Sequence, residues 1–291
     1  MNSSPDPGQA GVRARLAVVQ AAARQAWQEA DPFTKCQLVA DLAGCLDQLG
    51  DDPPAGDGPP ELNVEPVDLG ALEPGRPSRP LMVLASQVPK RAPGSAEGLG
   101  ALLHAIAHIE FNAINLALDA VWRYPYMPVG FARDWLSVAV DEARHFRLLT
   151  DQMAAVEVAY GDHDAHDGLW TMARRTADDL LARMALVPRV LEARGLDATP
   201  AIQQKLRSAG HRDAVDVLQI ILDEEVRHVS LGNDWFQRLC QQAGVEPEEK
   251  FQQLLCAFDA PRPRGKMNRT ARLKAGFTNR ELDWLQGGGR G

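Results

Sequence analysis

Two short stretches of the sequence combine a carboxylate and an imidazole at the same spacing. They are DEARHF, residues 141–146, and EEVRHV, residues 224–229, and in each a glutamate precedes a histidine by three positions. Residues i and i+3 lie on one face of a helix, about 4.5 Å apart along its axis. The pairs Glu142–His145 and Glu225–His228 are therefore each suited to bind one metal ion from a single helix.

A further glutamate precedes each pair. Glu110 stands 32 residues before Glu142, and Glu192 stands 33 residues before Glu225. Apolar residues at helical spacing surround both, which places their carboxylates on the apolar stripe of a helix. A helix with Glu followed by a helix with Glu-x-x-His thus occurs twice in the chain.

The elements that must position these residues are predicted to be four long helices. Helical periodicity marks residues 98–123, 130–159, 168–194 and 211–242, and the breaks YPYMPVG, YGDHDAHDG and GLDATP contain the Gly or Pro that ends a helix. Alternating strand patterns bounded by tight turns are missing. The sequence therefore predicts an all-α fold in which these helices form a four-helix bundle.

The predicted bundle spans residues 98–242, and further segments flank it. Residues 1–50 are predicted to be N-terminal helices that pack on the bundle. Residues 51–97 contain ten of the twenty prolines and predict an extended strap rather than a regular helix. Residues 243–291 are predicted to be a C-terminal helix followed by a basic tail.

The charge of the chain is unevenly distributed. The formal net charge is −8, yet residues 261–291 carry +6 and the remainder −14. Such a tail either binds a polyanion such as nucleic acid or lies against the acidic body of its own chain. The second reading is favoured because Phe277, Leu282, Trp284 and Leu285 have the spacing of apolar anchors on a short helix.

A bundle of this kind would bring four carboxylates and two imidazoles together in its core. Without a metal, such a cluster of buried charges would be strongly unfavourable. Two divalent cations would balance four carboxylates and two neutral histidines. Ligation by oxygen with one imidazole per metal suits iron or manganese better than a thiolate-rich structural zinc site. The sequence predicts two iron ions, with manganese or a mixed manganese–iron pair left open.

The ligand set resembles that of the ferritin-like di-iron carboxylate proteins, in which two helices each supply Glu and two supply Glu-x-x-His. The resemblance implies a ferritin-like four-helix bundle in which the matching residues bind the metals and carry the catalysis. The matching residues are Glu110, Glu142, His145, Glu192, Glu225 and His228.

The residues around the ligands narrow this resemblance. DEARH and EEVRH are similar to the Asp-Glu-x-Arg-His signature of the di-iron oxygenases, such as ribonucleotide reductase small subunits, multicomponent monooxygenases and arylamine N-oxygenases. The resemblance implies that Asp141 orients a ligand histidine. Glu224 departs from the signature by one methylene group. Arg144 and Arg227 either pair with these acids or lie on a solvated face.

Longer stretches resemble one bacterial family of uncharacterised ferritin-like proteins, whose nearest relatives with known chemistry are tRNA-modifying di-iron hydroxylases. These stretches are HAIAHIEFNAINLALDA, YGDHDAHDGLW, RMALVPRVLEARGLD and CAFDAPRPRGKMNRTARLKAGF. The resemblance implies an oxygenase or hydroxylase that activates dioxygen and acts on a tRNA base or a small metabolite. An external reductase or ferredoxin would supply electrons, because no Gly-x-Gly-x-x-Gly follows a strand.

Two other classes of protein fit the same ligands. One is an iron-binding or ferroxidase protein of the ferritin kind, and the other is a non-catalytic protein that uses the metals as a structural clamp. The four cysteines show no Cys-x-x-Cys spacing, no secretory signal is visible and no apolar run of about 18 residues is present, which favours a cytoplasmic protein without a membrane partner. The substrate, the electron donor, the native metal and the oligomeric state are left open.

Four residues near the predicted ligands have more than one interpretation. The faces on which His104 and His108 fall favour structural hydrogen bonds over ligation. Pro188 interrupts the third helix, either to open a coordination position or as a packing bend. Gly232 lies on the stripe of Glu225 and is expected to leave room for a substrate. No tyrosine falls on these stripes, which argues against a tyrosyl-radical generator.

Overall fold

The computed structural model describes residues 7–46, 49, 73–88, 94–263 and 265–287. Within these residues the regular secondary structure is helical, apart from an isolated bridge between Met82 and Ala165. The predicted all-α fold is therefore confirmed. The chain divides into two compact units, and each is described separately.

The first unit consists of residues 1–83, 104–153 and 159–165. Its helices are α1 (Pro7–Gln28), α2 (Pro32–Ala43), most of α3 (Ala96–Arg123) and most of α4 (Val129–Ala154). The chain breaks between α1 and α2, and Asp31 caps the start of α2 by accepting from Thr34 N at 2.8 Å.

Residues 73–88 of the Pro-rich segment are non-helical and pack against α1, whereas Ala96 and Glu97, which were assigned to the strap, already belong to α3. Gly75 N donates to Trp27 O at 2.9 Å, and a Cβ at Gly75 would lie 2.1 Å from Gln28 O, so no side chain fits there. Further along, Val83 N and Ala165 N bond to the backbone of the opposite segment around the bridge. Residues 50–72 and 89–93 of the strap region lie outside the described residues.

Helix α3 is long and apolar enough to span a membrane, with a mean hydropathy of 1.3 over its most apolar 18 residues. However, 72% of that window is buried inside the protein, and the helix carries buried polar groups such as Asn112, Asn115 and Asp119. These properties are typical of the core helix of a soluble protein.

The second unit consists of residues 84–103, 154–158 and 166–291. Its helices are α5 (Gly168–Arg175), α6 (Leu180–Leu186), a π-helix (Val187–Glu192), α7 (Ala193–Ala209), α8 (Arg212–Ala243), α9 (Pro247–Ala257), α10 (Arg269–Lys274) and α11 (Asn279–Gln286). Helix α8, the longest, contacts α6, the π-helix, α7, α9 and α10.

The third long helix differs from its prediction. The expected single helix over 168–194 is broken between α5 and α6, where Asp179 accepts from Ala182 N and starts a new helix. The expected break at GLDATP is wrong, because α7 continues through Pro200 to Ala209 and ends at Gly210 with φ +86°. Leu196 and Leu206 of α7 are fully buried within the second unit. The stability gained from their burial offsets the free-energy cost of placing Pro200 inside the helix.

Candidate metal centre

The first ligand set, Glu110, Glu142 and His145, lies within the first unit. Glu110 comes from α3 and the other two from α4, and their exposed fractions are 4%, 0% and 0%. His145 Nδ1 lies 3.2 Å from Glu110 Oε2 and 3.3 Å from Glu142 Oε2. The three residues offer ligand atoms that all lie within 4.8 Å of one another. The i, i+3 spacing on α4 therefore brings the pair together as predicted.

These three side chains shift each other's protonation. Burial disfavours the charged imidazolium of His145, but hydrogen bonds to Glu110 and Glu142 and their negative charges outweigh it and raise the pKa of His145 to about 11. Burial and the charge of Glu142 raise the pKa of Glu110 to about 8, although the hydrogen bond to His145 acts in the opposite direction. The two neighbouring acidic side chains therefore favour the protonated form of His145.

The second ligand set, Glu192, Glu225 and His228, lies within the second unit. Glu225 and His228 are on α8, with His228 Nδ1 at 3.4 Å from Glu225 Oε1. Glu192 is the last residue of the π-helix, which packs on α8. Glu192 and Glu225 are buried, with 8% and 9% of each residue exposed, and His228 is fully buried.

The donor set of each group suits a hard divalent cation. Both contain two carboxylates and one imidazole, which are ligands that iron and manganese accept. Burial of three ionisable side chains is costly unless they are paired or bind a metal. The chemistry and the spacing of the first ligand set therefore fit a metal ion, whereas Glu192 and His228 of the second set fall outside the group of described residues whose ligand atoms lie within 4.8 Å of one another.

The acids predicted to orient the histidines lie beside the ligands on the same helices. Asp141 is half-buried and pairs with the exposed Arg144, whose NH2 lies 3.4 Å from Asp141 Oδ1. This contact is an i, i+3 pair on α4, and because Arg144 is also exposed, both interpretations given for this arginine apply to it. On α8, Glu224 is half-buried and Arg227 is exposed. The role of Asp141 and Glu224 toward the ligand histidines stays a prediction.

His104 and His108 make structural hydrogen bonds, as predicted. His104 Nε2 accepts from Gly161 N at 2.9 Å. Arg76 donates to Asn112 Oδ1, which turns Asn112 Nδ2 toward His108 Nε2 at 3.0 Å. The remaining ring nitrogen of His108 then carries its hydrogen toward Tyr160, with Nδ1 2.9 Å from the hydroxyl oxygen.

Sequence reasoning missed the position of Tyr160. Although it falls on no ligand stripe, its ring packs against Phe111 and Phe146, with centroid distances of 5.7 and 5.0 Å. These phenylalanines directly follow Glu110 and His145 in the chain. Only the fold brings the loop containing Tyr160 to α3 and α4, so no local pattern could have found this contact.

The interpretation of Gly232 needs a correction. A Cβ at this position would lie 2.4 Å from Pro188 Cβ and Cγ, so the ring of Pro188 occupies the space that was expected to admit a substrate. Pro188 lies in the π-helix. The helix interruption predicted at Pro188 is thus a π turn that packs closely against α8.

Several buried cations were also missed, among them Lys35 and Arg189. Lys35 is fully buried on α2 and donates to Trp27 O, Gly75 O and Asn115 Oδ1. Arg189 is buried on the π-helix and pairs with Glu281 of α11. Both positions have apolar neighbours at helical spacing, and a basic residue on an apolar stripe is the signal that could have indicated them.

The fold and these ligands define an all-helical protein with two buried sets of carboxylate and histidine side chains. The family model described as "Protein of unknown function (DUF455)" matches residues 28–283, so the chain belongs to this family. It is similar to an uncharacterized protein of Haemophilus influenzae (strain ATCC 51907 / DSM 11121 / KW20 / Rd), with 43% identity over 281 residues that cover 90% of this chain and 93% of the relative. No solved structure matches the chain.

Proposed function

We propose that this protein is a ferritin-like non-haem di-iron oxidoreductase, of the oxygenase or hydroxylase type, and that it acts in the cytoplasm. The observation that carries the proposal is the buried first ligand set, in which two carboxylates and an imidazole offer ligand atoms within 4.8 Å of one another. The second ligand set supports it because it repeats the same donor types at the same i, i+3 spacing.

In this proposal the six ligands have distinct tasks. Glu110, Glu142 and His145 would hold one iron, and the second ligand set would hold the other. Two reduced irons held by these residues would supply the chemistry of dioxygen activation. The carboxylates of both sets balance the metal charge, and the proton held at His145 must leave when its ring becomes a ligand.

The surroundings of the sets contribute further functions. Burial of both ligand sets would exclude bulk water from metals bound there. The described residues offer no dinucleotide motif, so an external reductase or ferredoxin would deliver electrons. The four free cysteines would stay reduced in the cytoplasm.

The test begins with metal stoichiometry. Protein purified without oxygen is loaded with ferrous iron, and the expected result is two irons per chain followed by rapid dioxygen uptake. Glu142→Gln should lose binding and uptake, whereas Glu97→Gln, which changes an exposed glutamate near the start of α3, should behave as the wild type. Less than about one iron per chain in the wild type would refute the proposal.

The other classes of function give different results in the same experiment. Dioxygen uptake with growing iron mineral would indicate a ferroxidase, and metal-dependent stability without uptake would indicate a structural clamp. If the substrate is a tRNA, the binding affinity should fall steeply with salt concentration. A flat salt response would leave the small-metabolite class.

A further inference from the structure

We propose that the C-terminal segment, residues 265–287, fixes the orientation of Glu192 through the buried pair of Arg189 and Glu281. This inference rests on the proposed function, because it takes Glu192 as a metal ligand. It assigns Arg189 and Glu281 as positioning residues, since neither belongs to the ligand sets. The C-terminal segment would then be required for one half of the metal site.

The argument starts from the backbone that carries Glu192. The π-helix Val187–Glu192 is a rare wide turn inside an otherwise α-helical run, and it contains Pro188, which has no N–H to donate. A turn of this kind persists only where contacts on its sides hold it. Because Glu192 is its last residue, a relaxation of the turn toward an α-helix would rotate the Glu192 side chain.

Arg189 is the strongest side-chain anchor of this turn. It is 1% exposed, and its guanidinium lies over the rings of Phe251 at 4.0 Å, Phe236 at 4.4 Å and Phe277 at 5.1 Å. Burial lowers the pKa of Arg189, and its ion pair with Glu281 opposes that shift. A buried guanidinium among three aromatic rings requires this carboxylate, so the turn depends on α11.

Glu281 is itself held in place on both of its oxygens. One oxygen, Oε1, pairs with Arg189, and the other, Oε2, accepts from Thr278 N at 2.9 Å. The Thr278 hydroxyl in turn accepts from Glu281 N, which completes the capping box of α11. These contacts connect the start of α11 to the π-helix. Because both oxygens of Glu281 are bonded, a displacement of Arg189 would break its ion pair with Glu281.

The same segment also holds the chain directly after Glu192. Arg272 NH2 donates to Ala193 O at 3.2 Å and to Asp197 Oδ2 at 2.7 Å. Asn268 donates from its backbone to Asp197 at 2.9 Å. Residues 268–281 therefore contact the chain on both sides of Glu192, at the π-helix before it and at the start of α7 after it. Contacts on both sides hold the backbone of Glu192 in place and so fix the direction of its side chain.

The test compares three variants of α11 in the full chain. Glu281→Gln removes the charge facing Arg189, and Glu281→Asp keeps the charge on a side chain one methylene shorter. Asp283→Asn is the matched control. Asp283 lies on α11, as Glu281 does, and this substitution removes the charge from an exposed contact with Arg269 of α10. Circular dichroism first establishes that each variant is folded, and Glu281→Asp serves if Glu281→Gln does not fold.

The first readout needs no metal. Hydrogen exchange of the amides in residues 187–193 should speed up in Glu281→Gln, less so in Glu281→Asp, and stay at the wild-type rate in Asp283→Asn. The second readout is titration with Co²⁺, whose absorption spectrum reports its ligands. One of the two sites should bind about 10- to 100-fold more weakly in Glu281→Gln, with a changed spectrum.

The outcomes separate this inference from the proposed function. If the wild type binds two Co²⁺ ions and Glu281→Gln matches it in affinity, spectrum and amide exchange, the positioning role is overturned while the proposed function stands. If the wild type binds no metal, the proposed function is overturned whatever the exchange data show. An equal loss in Asp283→Asn would also overturn the inference, because it would mean general destabilisation of the C-terminal segment.

Discussion

The contact between Gly232 and Pro188 predicts a large penalty for a single methyl group. In Gly232→Ala the new Cβ would lie 2.4 Å from two atoms of the proline ring, whereas carbon atoms in contact are normally about 3.5–4.0 Å apart. Either α8 or the π-helix must therefore move by about 1 Å. Overpacking of this kind typically costs about 1–3 kcal/mol.

A second glycine in the same unit provides the control. Gly195 lies in α7, and a Cβ there would meet nothing within 4 Å. Both substitutions gain about 0.5–1 kcal/mol from the helix preference of alanine over glycine. This gain cancels in the comparison, so the difference in the free energy of unfolding between the two variants isolates the overpacking cost.

The assay is urea unfolding followed by circular dichroism, with thermal unfolding as a check. Gly232→Ala should be less stable than Gly195→Ala by about 1–3 kcal/mol, which corresponds to a melting temperature lower by about 2–4 °C for each kcal/mol. If the two variants unfold within about 0.5 kcal/mol of each other, the close contact between α8 and the π-helix is refuted, because no overpacking would then be present.

Three further predictions test other parts of the molecule. Ferrous iron or Mn²⁺ at 100 times the Kd should stabilise the wild type by about 2.7 kcal/mol for each occupied site, and Glu142→Gln should lose the contribution of its site, as measured by thermal shift. Lys35→Met leaves three buried acceptors without their donor and should cost about 1–3 kcal/mol or more in urea unfolding, whereas Lys205→Met on the surface should cost little. The pKa of His104 is lowered to about 4 by burial and by His163, against the opposite effects of Asp162 and Asp164. As the pH falls, the unfolded chain therefore binds a proton at His104 at a higher pH than the folded protein does. The free energy of unfolding should fall by on the order of 2 kcal/mol as pH drops from about 6.5 to 4. In His104→Gln this pH-dependent loss of stability should disappear, because the glutamine amide does not titrate and its oxygen can accept from Gly161 N in place of the imidazole.

The parts of the molecule that were predictable from the sequence depend on short-range geometry. The i, i+3 spacing was enough to predict that Glu142 lies beside His145 and Glu225 beside His228. Helical periodicity also predicted the all-α fold and the apolar anchors of the C-terminal tail, of which Phe277, Leu282 and Leu285 are buried. These features are local because one or two helical turns decide them.

The basic tail shows the limit of reasoning from composition. Several of its charges pair within the chain, including Arg272 with Asp197 and Arg280 with Glu248. The positive balance in the sequence did not indicate which arginines are used in this way. Arg272 is 1% exposed, whereas Arg280 lies at the surface. Binding of nucleic acid by the remaining charges stays a prediction.

What the sequence could not predict depends on contacts between residues far apart in the chain. Pro188 indicated an interruption, but a proline alone does not distinguish a kink from a π turn. The π turn here depends on the absence of a side chain at Gly232, on the burial of Arg189 among aromatic rings and on Glu281 some ninety residues later. A chain could keep all six ligand residues and lose Glu192 from the metal site through a change at any of these positions. The ligand motif is therefore necessary for the proposed site, and the packing around the π-helix decides whether it is sufficient.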